Sequence, residues 1–205
     1  MVTVEIDPVV VEQRLGAGEL VCPSCAGRLT GWGRARTRVV RGPDGPRTVT
    51  PRRSRCSRCR VTHVLLPVML LVRRADTAAV IGAALTARAG GQGHRRIAAA
   101  LGRAPDTVRG WLRRFAARAE PVRAVFTGWC RALDPDPVLP GPTGTAWADA
   151  LAAIHAAVRA VHARFGAPDD DALAGVVVVP VWPVAVAVSA GRLLAPGWPD
   201  PTASN

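Results

Sequence analysis

The sequence predicts a mostly α-helical chain carrying one small β unit, and three observations lead there. Two C-x2-C pairs, Cys22/Cys25 and Cys56/Cys59, bracket a stretch of β-branched residues and turn signals. Residues 76–119 repeat apolar positions at helical spacing and are punctuated by Gly and Pro. Residues 145–165 carry a second helical pattern with a continuous apolar seam. The segments that follow from this are a lead-in at 1–21, the β unit at 22–67 and a three-helix unit at 76–119. A helix with a Pro-rich linker follows at 120–144, then a C-terminal helical region at 145–205.

Taken in order, the lead-in reads as a strand at 2–6 and a helical turn at 8–15. Residues 34–41 are basic and β-branched, Gly42-Pro43-Asp44-Gly45 is a strong turn signal, and residues 47–55 return as a second basic strand. Residues 69–74 bridge to the helices. Asp76 stands where an N-cap would open a helix over 77–88, with Val80, Ile81, Ala84 and Leu85 on one face. Gly90-Gly91-Gln92-Gly93 ends it, and a second helix spans 94–101 and stops at Gly102. Pro105 opens a third, running to about residue 119. A fourth covers 121–133 before the linker at 134–144. In the 145–165 helix, Trp147, Leu151, Ile154, Val158, Val161 and Phe165 recur at spacings of four and three, so the seam packs on its own chain or on a second copy. A homodimer through this helix is the expectation.

Charge is unevenly placed. All 27 basic residues are Arg and the net charge is +12. Residues 28–120 hold 21 Arg against four acids, net +17, whereas 1–27 come to −3 and 121–205 to −2. An Arg-for-Lys bias from a GC-rich genome would spread evenly, so the concentration is an electrostatic footprint for a polyanion. The first residues show no charged region leading into an apolar stretch, which argues against a secretory signal. The apolar segment 172–190 contains Gly175, Pro180 and Pro183, and two prolines three apart argue against a membrane span. The expected location is cytoplasmic, with the nucleoid.

Each C-x2-C pair puts two thiolates on one side of a tight turn, and two pairs complete an S4 site suited to one structural Zn2+ held by Cys22, Cys25, Cys56 and Cys59. The 30 residues between the pairs read as a hairpin, which makes the unit a zinc ribbon. Four protein ligands leave no open position, so the metal's expected role is structural. His63, four residues past Cys59, reads as a neighbour of the site, and Cys130 as a small buried hydrophobe.

Residues 94–113 have the spacing of a helix-turn-helix. Ala98 allows close helix approach, Gly102 takes the turn, and Val108 and Trp111 pack the second helix on the first. The outward positions Asp106, Thr107, Arg109 and Gly110 are the candidate base contacts. Candidate phosphate contacts are Arg95, Arg103, Arg113 and Arg114 here, with Arg36, Arg38, Arg52, Arg53 and Arg55 in the hairpin. Double-stranded DNA is the expected partner.

On the Cys-Pro-Ser-Cys pair, the Arg-rich run from Arg52 through Cys56 and Cys59 to His63, Leu65-Leu66-Pro67, Gly93–Gly102 and Thr107-Val108-Arg109-Gly110-Trp111, residues 22–115 resemble the N-terminal module of bacterial insertion-sequence transposases. They are also similar to uncharacterised helix-turn-helix proteins of high-GC bacteria. The resemblance implies DNA binding. It does not extend to a transposase's catalytic triad, since no Glu follows Glu120. The expectation is therefore a non-enzymatic, sequence-reading DNA-binding protein that regulates, or assists, a mobile element. The alternatives are a DNA-binding subunit whose catalytic domain lies on another chain, and a ribbon protein that binds RNA or a polymerase.

Overall fold

The computed structural model describes residues 1–166 and 181–199, and the chain is mixed α/β, with its sheets near the N-terminus and seven helices among the described residues. The strands are β1 (Val2–Val4), β2 (Leu29–Arg34), β3 (Arg38–Gly42), β4 (Gly45–Val49), β5 (Arg52–Cys56) and β6 (Thr62–Pro67). Helix α1 (Pro8–Ala17) precedes β2; α2 (Ala78–Ala89), α3 (His94–Leu101), α4 (Pro105–Ala116), α5 (Ala119–Leu133), α6 (Ala146–Phe165) and α7 (Val181–Val188) follow β6.

Four strands form one sheet in the order β1-β6-β5-β2, and β3 and β4 form a two-stranded hairpin. The expected single hairpin is instead a ribbon bent once. Gly42 faces Gly45 across the Pro43-Asp44 turn, as the turn signal requires. The ladder is then interrupted at Ala35–Thr37 and Thr50–Pro51, where Pro51 lacks an N–H to donate, and resumes as β2/β5. A hydroxyl pair, Thr37 to Thr50 at 2.8 Å, closes the bend. The lead-in joins the same sheet, because β1 runs parallel to β6 with Val2 beside Leu65. Asp7 caps α1 by accepting from the Val9 N–H at 2.8 Å, and the helix ends on Gly18 at φ 75°.

The interior divides accordingly. Val4, Val11, Leu15, Leu20, Leu29 and Leu65 pack with Cys22 and Cys56 in a small core under the ribbon. Leu66, one residue on and facing the other way, packs with Val40 and Leu70. A larger core gathers α2 through α7, with Ile81, Leu85, Ile97, Phe115, Phe126, Ile154, Leu193 and Leu194 fully buried.

Three expectations about the helices change. Asp76 does not cap α2. Thr77 occupies the N-cap position without a side-chain bond, and Asp76 is 2% exposed with its carboxylate bound by two guanidinium groups, a stronger interaction than one backbone N–H supplies. The third helix stops at Ala116, and α5 begins at Ala119, two residues before the expected start. The apolar seam of α6 is used inside the chain. Leu151, Ile154 and Val158 are buried, and α6 packs along α5 and against α7. Trp147 sets its ring edge-on to Phe115 of α4 at 4.7 Å and donates from Nε1 to the Leu85 carbonyl at 3.1 Å. Only the far end of the seam is left out, with Phe165 72% exposed.

Helix α7 begins inside the 172–190 segment, the first part of which, with Asp169–Asp171, lies outside the described residues. Its Pro183 falls in the first turn, where no intrahelical N–H is needed. The Trp182 indole packs against α2 at Gly82, where a Cβ would fall 1.8 Å from it, so only glycine permits the approach. No helix of the described residues is long and apolar enough to cross a membrane.

Candidate metal centre and basic surface

The two cysteine pairs are built on the same backbone pattern although their sequences differ. Cys22 N–H donates to the Gly27 carbonyl at 2.8 Å, and Cys56 N–H donates to the Val61 carbonyl at 2.9 Å. Ala26 N–H returns to Cys22 O, and Arg60 N–H returns to Cys56 O. Ala26 and Arg60 both take left-handed conformations, φ 56° and 64°, which non-glycine residues rarely adopt. Each turn also aims N–H groups at its first sulfur: Arg58 N and Cys59 N lie 3.4 Å from Cys56 Sγ. Gly27 is needed for the two turns to meet, since a Cβ there would fall 2.9 Å from Cys56 Sγ. The repeat of backbone and the role of Gly27 were not visible in the sequence, although C-x-x-C followed closely by Gly is its trace.

The turns bring all four sulfurs within 4.8 Å of one another. Cys22 and Cys59 are 3.7 Å apart, and Cys25 and Cys56 are 3.5 Å apart. A tetrahedron with metal–sulfur bonds of about 2.3 Å has edges of about 3.8 Å, so the set fits a tetrahedral ion. It is not a pair of disulfides, and all five cysteines are free thiols. Electrostatics point the same way. Burial opposes ionisation of Cys56, but the N–H groups of Cys59 and Arg58 outweigh it and bring the thiol down to about 6. The Val61 N–H favours the Cys59 thiolate, yet burial and the three neighbouring sulfurs push that thiol up to about 12. All four could ionise together at this spacing only with a cation among them. His63, buried opposite Ser54, places Nε2 3.3 Å from Cys22 Sγ, so it supports a ligand from outside the sulfur set. Cys130 is buried in α5, where desolvation raises its thiol.

The basic residues divide into bound and free. Arg103, expected at a phosphate, is committed inward. Its Nε donates to Asp76 Oδ1 at 2.6 Å, and its Nη atoms reach the carbonyls of Leu101, Gly102 and Gly42. Arg52 pairs with Glu12 of α1 at 2.7 Å and bonds the Gly33 carbonyl. Arg114 turns back to the Gly110 carbonyl at 3.0 Å. Arg55 lies over the Trp32 ring, 4.7 Å from its centroid. Arg36, Arg95 and Arg113 are exposed, and Arg38 and Arg53 are half-buried. On α4, Val108, Trp111, Leu112 and Phe115 are buried, while Asp106 and Arg109 stand out at 84% and 65% side-chain exposure, paired at 3.1 Å. Thr107 and Gly110 are half-buried between them. Arg88, His94, Arg109 and Arg113 surround a cavity of about 340 Å³ floored by Leu112 and Trp147.

Residues 22–111 match a family described as Domain of unknown function (DUF6431). The match runs from the first metal-site cysteine to the buried Trp111 of α4, so it spans the ribbon together with α2, α3 and most of α4. No curated protein and no solved structure matches the chain.

Proposed function

We propose that the protein binds duplex DNA sequence-specifically without catalysing a reaction, using a zinc-stapled ribbon for the backbone and α4 as the recognition helix of a helix-turn-helix. The observation that carries this reading is the two-sided character of α4. One side is sealed by Val108, Trp111, Leu112 and Phe115, and the other offers Asp106, Arg109 and Arg113 to solvent. The junction before it has helix-turn-helix proportions: α3 closes on Gly102 at φ 60°, and Pro105 starts α4 three residues later. Ala98 is fully buried beneath α4, as close packing of the two helices requires.

Zinc is the ion of choice because four thiolates in a tetrahedron suit a soft, redox-inert cation. The ion would fix the two cysteine turns and hence the hairpin that projects from them. The hairpin's free arginines would contact phosphates and set position, and the first turns of α4 would read base edges. The resemblance to transposase N-terminal modules supports a role as a regulator or accessory of a mobile element.

The test is a selection for bound sequences from random duplex DNA with the metal-loaded full chain. Enrichment of one motif is expected. Recovery of duplexes with no common motif, at affinities set only by salt, would remove sequence reading from the proposal.

A further inference from the structure

The outer face of the ribbon sheet carries an exposed aromatic beside a cationic groove, and α4 plays no part in it. Trp32 of β2 is 51% exposed. The Arg55 guanidinium lies 4.7 Å above its ring and is held there, because Arg55 Nε donates to the Arg60 carbonyl at 3.1 Å. Strand alternation puts Arg53 on the same face as Arg55, and the register sets them beside Val64 and Thr62 of β6. From Val64 the face continues into a groove of about 580 Å³ lined by Arg36, Arg38 and Arg73, with no carboxylate in its wall. Arg38 Nε is buried there without a hydrogen-bond partner among the described residues.

We infer that this face binds an unpaired nucleic-acid strand, one base stacking on Trp32 and Arg55 and the neighbouring phosphates lying along Arg53, Arg38 and Arg36. Three physical reasons select that occupant. A half-exposed indole with a guanidinium over its ring is a planar stack that a base can extend, whereas bases in a duplex are stacked on each other and present only edges. The guanidinium extends the platform and adds positive charge at the place where the strand's phosphates pass. Between Arg28 and Arg60 the single acid is Asp44, at the far hairpin turn, so the face is complementary to a polyanion. The inference does not depend on α4 reading duplex DNA.

The experiment uses the metal-loaded full chain and fluorescence anisotropy with labelled oligo(dT) and oligo(rU) of about 15 nucleotides, a length one small β domain can track. A duplex obtained by the selection above, or a random one, is the third arm. Trp32→Ala is expected to weaken binding of the single strands about tenfold, with Trp32→Phe restoring most of it, because base stacking needs a ring and not an indole N–H. Duplex affinity should stay within about twofold of wild type, since its edges and phosphates do not require the ring. Tighter binding of oligo(rU) would assign the strand as RNA, and tighter binding of oligo(dT) as melted DNA. Equal single-strand affinity for Trp32→Ala and wild type, with metal content and circular dichroism unchanged, overturns the inference. So does equal loss on single strand and duplex. Polyglutamate competing as well as oligo(dT) would also overturn it, and would assign the face to an acidic protein segment.

Discussion

Asp76 and Arg103 meet at 2.6 Å in the interior, and this pair joins the ribbon to the helices. The carboxylate's other oxygen takes Arg41 Nη2 of β3, also at 2.6 Å. Around them, Arg41 N–H donates to the Ala75 carbonyl and Thr77 N–H donates to the Arg41 carbonyl, so the hairpin is zipped to the start of α2. Arg103 sits in the turn between α3 and α4. One carboxylate therefore fixes where the hairpin stands relative to α4, and both of its partners lie within the matched segment 22–111.

Removing that carboxylate leaves guanidinium groups without their counter-ion, Arg103 the more severely because its side chain is 14% exposed against 48% for Arg41. Asp76→Ala is expected to cost about 3 kcal/mol in urea unfolding, and Arg103→Ala more than Arg41→Ala. In a double-mutant cycle Asp76 and Arg103 should couple strongly. Additive effects would mean that the two groups do not act as a pair.

The metal centre makes a second prediction. Its core is the small one under the ribbon, separate from the larger core of α2 through α7. Purified protein should contain one Zn per chain by elemental analysis, and Cys56→Ser should lose it. Cys130→Ala, far from the sulfur set, should keep it. Chelation should open the ribbon, seen as loss of amide protection in β2, β5 and β6, while most helical circular dichroism survives. Helix and ribbon melting together would show that the metal holds both.

Parts of this architecture were legible in the sequence because their signals are local. Cys22, Cys25, Cys56 and Cys59 announce themselves by spacing, Gly42 to Gly45 by turn chemistry, and α3 and α4 by Gly102 and Pro105. Other features depend on which distant residue arrives first. Asp76 reads as an N-cap until two arginines, 35 and 27 residues away, bind it. Arg52 and Arg103 read as free cations until Glu12 and Asp76 take them. The pairing of β1 with β6 is parallel and joins residues more than 60 apart, and no local pattern encodes that.

The seam of α6 gives a third prediction. Because Ile154 is fully buried within one chain, Ile154→Ala should lower stability by about 3 kcal/mol through the cavity it leaves. The unfolding midpoint should not depend on protein concentration, as a dimer's would. A midpoint that rises with concentration would instead support the expected pairing of two copies through this helix.

The last prediction separates the two classes of arginine on duplex DNA. Phosphate contacts set affinity and its salt slope, about −0.9 per neutralised phosphate, and base contacts set preference. Arg52, although expected at a phosphate, is a poor probe, because its loss would also free Glu12. Arg36 is exposed on the ribbon, and among the described residues no carboxylate pairs with it. Arg36→Ala should weaken a selected site and a scrambled one alike and flatten the salt slope by about one unit. Arg109 stands on the outer side of α4, braced by Asp106 one turn before it. A bidentate guanidinium–guanine contact is worth about 1–3 kcal/mol, so Arg109→Ala should lose roughly tenfold or more on the selected site and little on the scrambled one. Asp106→Ala should fall between the two, since it leaves Arg109 in place and removes only its brace. Salt titrations of the three variants on both duplexes make the comparison. An equal loss on both duplexes for Arg109→Ala would mean that α4 lies on phosphates and that base reading resides elsewhere.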